Sequence, residues 1–379
     1  MRLLHTADWH LGRSLGGHAL LEDQEHLLLG QFLRMVRETK PDAVLVAGDM
    51  FDRAVPPAEA VELLDEILQR IVLGLRIPVV MIPGNHDEAR RLSFGARLLA
   101  GAGLHIGDSP LGRAVTLQDD AGPVSIVAAG YASPLYLATL APDGEAFADH
   151  DAGFAWLAPH LLGLCPPGHR RLLVAHGFVA GGAESESERG LAVGGTGQVG
   201  VHRFAGFDYV ALGHLHRPQT LGEGRLRYSG SPIAYSLSEI GHGKSVSLIE
   251  MDASGAVRIE ELPLAPLRAL RVLKGAFAAL RDAPAEGRED FLSIMLTDPV
   301  PVPDAQRRLA EVYPRIVGLR HAGMAAAAGA IAMPGAAARA ATPLDLFTRF
   351  HQAVRGRDLP EEAAPILRAA VAAAEAAER

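Results

Sequence analysis

Thiols and lysines are nearly missing from this chain of 379 residues. Cys165 is its one cysteine, so no disulfide can form within the chain, and a structural zinc site built from several thiolates is excluded. Only Lys40, Lys244 and Lys274 are lysines, a scarcity from which no function follows. A secretory signal is also missing, because Met1 to His10 carries Asp8 and two histidines where export needs a basic start and an apolar stretch. The charge-free stretch from His321 to Ala338 is mostly Ala and Gly and contains Pro334, unlike the Leu/Ile/Val-rich span that a bilayer requires. These absences predict a cytoplasmic protein with no membrane attachment.

The hydrophobic share of 49% supports a packed core, and the length suggests two or three domains. The formal net charge is −8, with 21 basic and 29 acidic residues in 1–259 and 15 of each in 260–379. An acidic N-terminal body argues against a simple phosphate-binding surface and fits carboxylates that hold cations.

Short apolar runs recur, each ending in a glycine or a polar residue. They lie at Leu3 to Asp8, Ala43 to Ala47, Val79 to Ile82, Val124 to Ala129, Leu172 to Ala175 and Asp208 to Leu212. Runs of this length read as buried strands. Leu20 to Arg37 and Pro57 to Val72 carry apolar residues at helical spacing between them, so the class is α/β. Residues 180–200 are Gly- and Glu/Ser-rich and read as a surface loop. Residues from about 266 to 322 restart an apolar pattern as a small α/β module, 323–341 form an Ala/Gly linker, and Thr342-Pro343-Leu344-Asp345 opens a helix with Leu344, Phe347, Phe350 and Val354 along one face. A second short helix follows from Ala364.

The chemistry gathers at the strand ends: Asp8-Trp9-His10, Gly48-Asp49 with Asp52, Gly84-Asn85-His86-Asp87, His176-Gly177 and Gly213-His214-Leu215-His216. In an open α/β sheet that edge is where ligands bind. Asp8, His10, Asp49, Asn85, His176, His214 and His216 make a mixed nitrogen and oxygen set without thiolate. Such a set suits Mn, Fe or Zn better than Ca or Mg, and it is large enough for two ions sharing a carboxylate, the usual equipment for in-line attack on phosphorus. Taken singly each motif is weak; their order and placement make them informative. His5, His18, His26, His105, His169 and His202 match no partner motif and read as structural or solvated.

The same five elements, in this order, resemble the fingerprint of the calcineurin-like metallophosphoesterase superfamily. Within it, Leu4 to Gly12, Gly206 to His216, Arg227 to Pro232 and Tyr235 to Glu239 resemble the SbcD family of nuclease subunits. The resemblance covers residues 1 to about 255 closely and the rest by architecture. It implies a four-layer αββα sandwich over 1–262, a capping domain over 263–322, the linker 323–341, and C-terminal helices in 342–379 that bind an SbcC-type, SMC-like ATPase. It implies a DNA nuclease dependent on two divalent ions, Mn foremost with Mg, Fe or Zn as alternatives, acting as a homodimer within a heterotetramer. One ion is assigned to Asp8, His10, Asp49 and His216, the other to Asp49, Asn85, His176 and His214. His86 would stand beside the scissile phosphate, with Asp52 orienting its ring. Dimerisation is assigned to segments 57–72 and 89–100. The rival readings are a phosphodiesterase of small nucleotides with the same core, and a non-catalytic scaffold.

Overall fold

Strands β1 (Arg2–Thr6), β2 (Ala43–Ala47) and β3 (Val79–Ile82) arise from the apolar runs the sequence displays, and they pair in parallel with β4 (Leu104–Ile106). This computed structural model describes residues 1–142, 145–188, 197–322, 342–355, 358–360 and 362–377. The linker 323–341 and part of the 180–200 segment therefore lie outside the described residues. The chain divides into two units, Met1–Arg268 and Ala269–Arg379.

Beyond β4 the first unit adds β5 (Arg113–Asp119), β6 (Gly122–Ala128), β7 (Arg170–His176), β8 (Tyr209–Gly213), β9 (Gln219–Leu221), β10 (Leu226–Tyr228), β11 (Lys244–Met251) and β12 (Val257–Leu264). One six-stranded sheet has the order β12-β11-β1-β2-β3-β4 and the other β9-β10-β8-β7-β6-β5. Both are mixed: the first is antiparallel over β12-β11-β1 and parallel from β1 to its edge strand β4, and the second has a parallel centre between two antiparallel edges. The boundary expected at 262 falls inside β12, which stays paired to β11 as far as Leu264.

Alternation along the strands divides their residues between two faces. Leu3, Leu45, Val80 and Ile82 of the first sheet pack with Ile126, Leu172, Val174 and Ala211 of the second in one buried layer. On the outer side of the second sheet, Val127, Leu173, Val210 and Leu212 pack with Leu157 and Leu161 of the helix His150–Gly163. The helix expected over Leu20 to Arg37 is a continuous helical run from Leu21 to Thr39, widened to π geometry over His26–Phe32. The one expected from Pro57 begins at Ala58 and ends in a second π stretch, Gln69–Gly74. Periodicity alone does not disclose such widening.

The parallel arrangement positions the site. Because β1, β2 and β3 run the same way, the loops after Thr6, Ala47 and Ile82 leave from one edge. β7 and β8 likewise deliver His176 and His214 from a single edge of the other sheet.

The second unit contains the parallel sheet β13 (Leu270–Gly275), β14 (Phe291–Leu296), β15 (Ile316–His321), with the short helices Phe277–Asp282 and Ala305–Ala310. Its own core holds Leu292, Ile294, Leu296, Leu309 and Tyr313. The helices Pro343–Arg355 and Ala363–Ala377 follow. The cap at Thr342 forms as its sequence requires: Asp345 N donates to Thr342 Oγ1 at 3.2 Å, and Thr342 N donates to the Asp345 carboxylate at 3.1 Å. Leu344 is half-buried, Phe347 and Phe350 are exposed, and the side chain of Val354 lies outside the described residues.

Candidate metal centre

Four of the seven expected ligands sit on backbone that L-residues seldom adopt. The φ angles are 54° at Asp8, 43° at His10, 52° at Asp49 and 106° at His214. Each such position costs about 1–3 kcal/mol and persists where neighbours enforce it. Here the two loops hold each other: Asp8 N donates to Gly48 O at 3.0 Å, His10 N to Asp49 O at 2.9 Å and Leu11 N to Met50 O at 2.9 Å. Room for this crossing comes from glycines. A side chain at Gly84 would collide with Asp49, and one at Gly213 with the Ala47 carbonyl and the His176 ring.

All seven residues are brought together. Asp49 Oδ2 lies 3.6 Å from His10 Nε2 and 3.4 Å from His176 Nε2. The Asn85 amide oxygen lies 2.8 Å from His176 Nε2 and 3.2 Å from His214 Nδ1. His10 Nε2 faces His216 Nε2 at 3.1 Å, a contact between two basic nitrogens that becomes attractive only with a proton or a cation between them. Among the described residues, Asp8 with His10 and His216, His10 with Asp49 and His86, and Asp8 with Asp49 and His176 each form a group whose ligand atoms all lie within 4.8 Å of one another. Two carboxylates, an amide oxygen and imidazoles, with no thiolate, fit hard to borderline divalent ions.

Electrostatics make the same point. Burial pushes the Asp8 carboxyl well above its usual range, and nearby Asp49 adds to this. Burial acts in the same direction on Asp49, but His176, then His10 and His86, outweigh it and hold that carboxyl well below. Burial would lower the His176 ring, yet Asp49 and Asp8 raise it to about 9. Burial pushes His10 and His216 down, and takes His214 to about 3. Crowded buried carboxylates, with His10, His214 and His216 held uncharged beside them, make a site built to receive positive charge.

His86 adjoins this cluster, its Nε2 4.0 Å from Asp49 Oδ2. Its ring is oriented differently from the expectation. Nδ1 donates to the main-chain carbonyl of Asp52 at 2.8 Å, while the Asp52 carboxylate lies 3.3 Å from Arg13 Nη1. The 180–188 stretch also departs from a plain surface loop. Ser187 is buried with its Oγ 2.8 Å from His216 Nδ1, and the Glu188 carboxylate accepts from His216 N at 2.7 Å.

Residues 1–218 match the calcineurin-like phosphoesterase family, and residues 266–355 match the type 5 capsule protein repressor C-terminal domain. The SbcD component of the SbcCD nuclease of Staphylococcus epidermidis is 31% identical over 326 residues, covering 84% of this chain and 85% of that relative. The chain belongs to the SbcD family of calcineurin-like phosphoesterases.

Two residues of this SbcD-family site, Asp87 and Gln24, carry tasks that sequence reasoning did not assign. The Asp87 carboxylate accepts from Gly84 N, Met50 N and Phe51 N at 2.9–3.1 Å, tying the β2 and β3 loops together. Burial, then Asp49, raises it to about 7. Gln24 Nε2 donates to the carbonyls of Trp9 and His10 at 2.9 and 2.8 Å. Asp87 closes the Gly-Asn-His-Asp quartet and was visible there; Gln24 carried no signal.

Proposed function

We propose that this chain is the nuclease component of an SbcCD-type complex, hydrolysing DNA phosphodiesters at double-strand ends and in hairpin or single-stranded DNA. The observation that carries this reading is the shared Asp49 oxygen between the His10 and His176 nitrogens, within a chain similar along most of its length to a nuclease subunit. Asp8, His10, Asp49 and His216 would hold one divalent ion, and Asp49, Asn85, His176 and His214 the other. Mn, Fe and Zn all suit this nitrogen and oxygen set, and Mn is the proposed occupant, with Mg as a further alternative. When bound, such a pair supplies Lewis acidity toward phosphoryl oxygens and lowers the pKa of water.

The chain's own residues then have definite tasks. The Asp52 carbonyl fixes the His86 tautomer, so proton exchange with substrate falls to Nε2, on the side of the cluster. There an imidazolium can stabilise the developing phosphorane charge or protonate the leaving oxygen. Asp87 and Gln24 keep the strained loops in register.

Residues 263–322 would act as a DNA-facing cap, and 342–379 as the docking helices for an SMC-like ATPase. Segments 57–72 and 89–100 would supply the homodimer contact. Val61, Phe94 and Leu98 are exposed there, and Val61 and Phe94 line a cleft of about 320 Å³ together with Leu64, Leu68 and Leu92. No described helix is long and apolar enough to cross a membrane, and cytoplasmic DNA is the proposed substrate.

The test is Mn-dependent cleavage of end-labelled linear and hairpin DNA, with His86→Ala and a truncation before Thr342, with and without the cognate ATPase. Cleavage lost in His86→Ala, and ATPase-dependent cleavage alone lost in the truncation, support the reading. Intact DNA alongside hydrolysis of a small phosphodiester would replace it with a small-nucleotide phosphodiesterase.

A further inference from the structure

His216 and His176 are prepared for a cation by different means. His176 Nδ1 donates to a neutral main-chain carbonyl, that of Ala47, at 2.9 Å. His216 Nδ1 instead faces Ser187 Oγ at 2.8 Å, and that hydroxyl donates to Glu239 Oε1 at 2.6 Å. A serine hydroxyl carries one proton, so a hydroxyl that donates to Glu239 must accept from His216. Nδ1 therefore carries the ring proton and Nε2 presents its lone pair toward His10.

The far end of this chain of bonds is anchored as firmly. Glu239 Oε1 also accepts from Tyr235 N at 3.0 Å, and Oε2 pairs with Lys244 Nζ. Lys244 Nζ donates further to His216 O at 3.0 Å and Ser231 Oγ at 2.8 Å, which uses its three protons. Ser187, Glu239, Lys244 and His216 are all buried, and Glu239 is only 1% exposed. One of the chain's three lysines stands here. Its compact ammonium divides its donors among a carboxylate, a carbonyl and a hydroxyl.

We propose that Ser187, Glu239 and Lys244 are positioning residues that fix the tautomer and raise the donor strength of His216, so that the chain governs the affinity of the ion held with Asp8 and His10 and leaves the Asn85, His176 and His214 side unaffected. A buried carboxylate acting through a hydrogen bond on the remote ring nitrogen strengthens the ligating one, and losing such a partner typically weakens metal binding about 10-fold to 100-fold. This inference rests on the reading of His216 as a ligand.

The experiment is calorimetric titration of the metal-free full chain with Mn²⁺, comparing wild type with Ser187→Ala, Ser187→Thr, Glu239→Gln and His216→Ala, together with thermal unfolding of each metal-free protein. The expected result is two sites in wild type, one of them weakened about 10-fold to 100-fold in Ser187→Ala and Glu239→Gln, recovery in Ser187→Thr, and similar metal-free unfolding temperatures for wild type and the two serine variants. Unchanged affinities in Ser187→Ala and Glu239→Gln, with one site lost in His216→Ala, overturn the proposal alone. Equal weakening of both sites with a lowered metal-free unfolding temperature also overturns it, in favour of a merely structural role. Two intact sites in His216→Ala overturn the ligand assignment itself and the proposal with it.

Discussion

The Nδ1 atom of His86 donates to the carbonyl oxygen of Asp52 at 2.8 Å, and the Asp52 carboxylate turns to Arg13 instead. Replacing that carboxylate should therefore matter far less than replacing the ring. Asp52→Asn keeps the carbonyl and removes a partly exposed ion pair, so cleavage should fall less than about tenfold. His86→Ala removes the proton-exchanging group and should lower kcat on the order of 100-fold to 10,000-fold. Steady-state cleavage of labelled DNA measures both, and an Asp52→Asn loss as deep as that of His86→Ala would restore the carboxylate to the central role.

Metal loading should stabilise the fold, because Asp8 and Asp49 are buried close together and each cation offsets their mutual repulsion. At a free Mn²⁺ concentration about 100 times the dissociation constant, one site contributes about 2.7 kcal/mol. For the first unit this corresponds to a rise in unfolding temperature on the order of 5–10 °C per site. Scanning calorimetry with and without chelator should show this rise in wild type, most of it lost in Asp49→Ala and part retained in Asn85→Ala. A chelator-insensitive wild type would remove the metal centre from the account.

Much of the cluster was legible because its parts are local. Asp8 with His10, Gly48 with Asp49, and His214 with His216 each sit within a few residues of an apolar run, and the parallel order of β1 to β3 gathers such ends on one edge. What was not legible depends on backbone atoms or distant pairing. The Asp52 carbonyl has no side-chain signature, which is why its carboxylate was expected to hold the ring. Ser187 reads as loop until folding lays it against His216, with Glu239 and Lys244 arriving from still further along the chain. The strand Val257–Leu264 is exposed along much of its length, and its pairing with β11 rather than its own composition makes it part of the first unit.

Acid stability should depend on His5. The ring is fully buried, with Nδ1 3.0 Å from Tyr209 Oη. Burial, then the Arg227 charge, lowers its pKa to about 3, against an opposing backbone hydrogen bond at Leu212. The folded pKa is thus below the unfolded value near 6.5. Below pH 6.5 the unfolded chain takes up a proton that the native state refuses, so stability falls as pH drops from 6.5 toward 3. The slope reaches about 1.4 kcal/mol per pH unit. Urea unfolding of wild type and His5→Gln between pH 5 and 7 should show a shallower dependence in the variant by about that amount, and parallel curves would exclude the residue as the source.

Phe347 and Phe350 lie on the outer surface of the helix Pro343–Arg355, 42% and 43% exposed, with ring centroids 6.5 Å apart. Burying the exposed part of these two phenyl rings against a partner represents about 1–3 kcal/mol. If the SMC-like ATPase is that partner, Phe347→Ser with Phe350→Ser should weaken association with it by on the order of 10-fold to 100-fold. ATP-independent cleavage by the isolated chain and its thermal unfolding should stay as in wild type, because neither ring belongs to the metal cluster or to a core of either unit. Calorimetric titration against the cognate ATPase, run beside thermal unfolding, separates the alternatives. Undiminished association together with a lowered unfolding temperature would mean that the helix docks on its own chain, and the partner surface would then have to lie elsewhere.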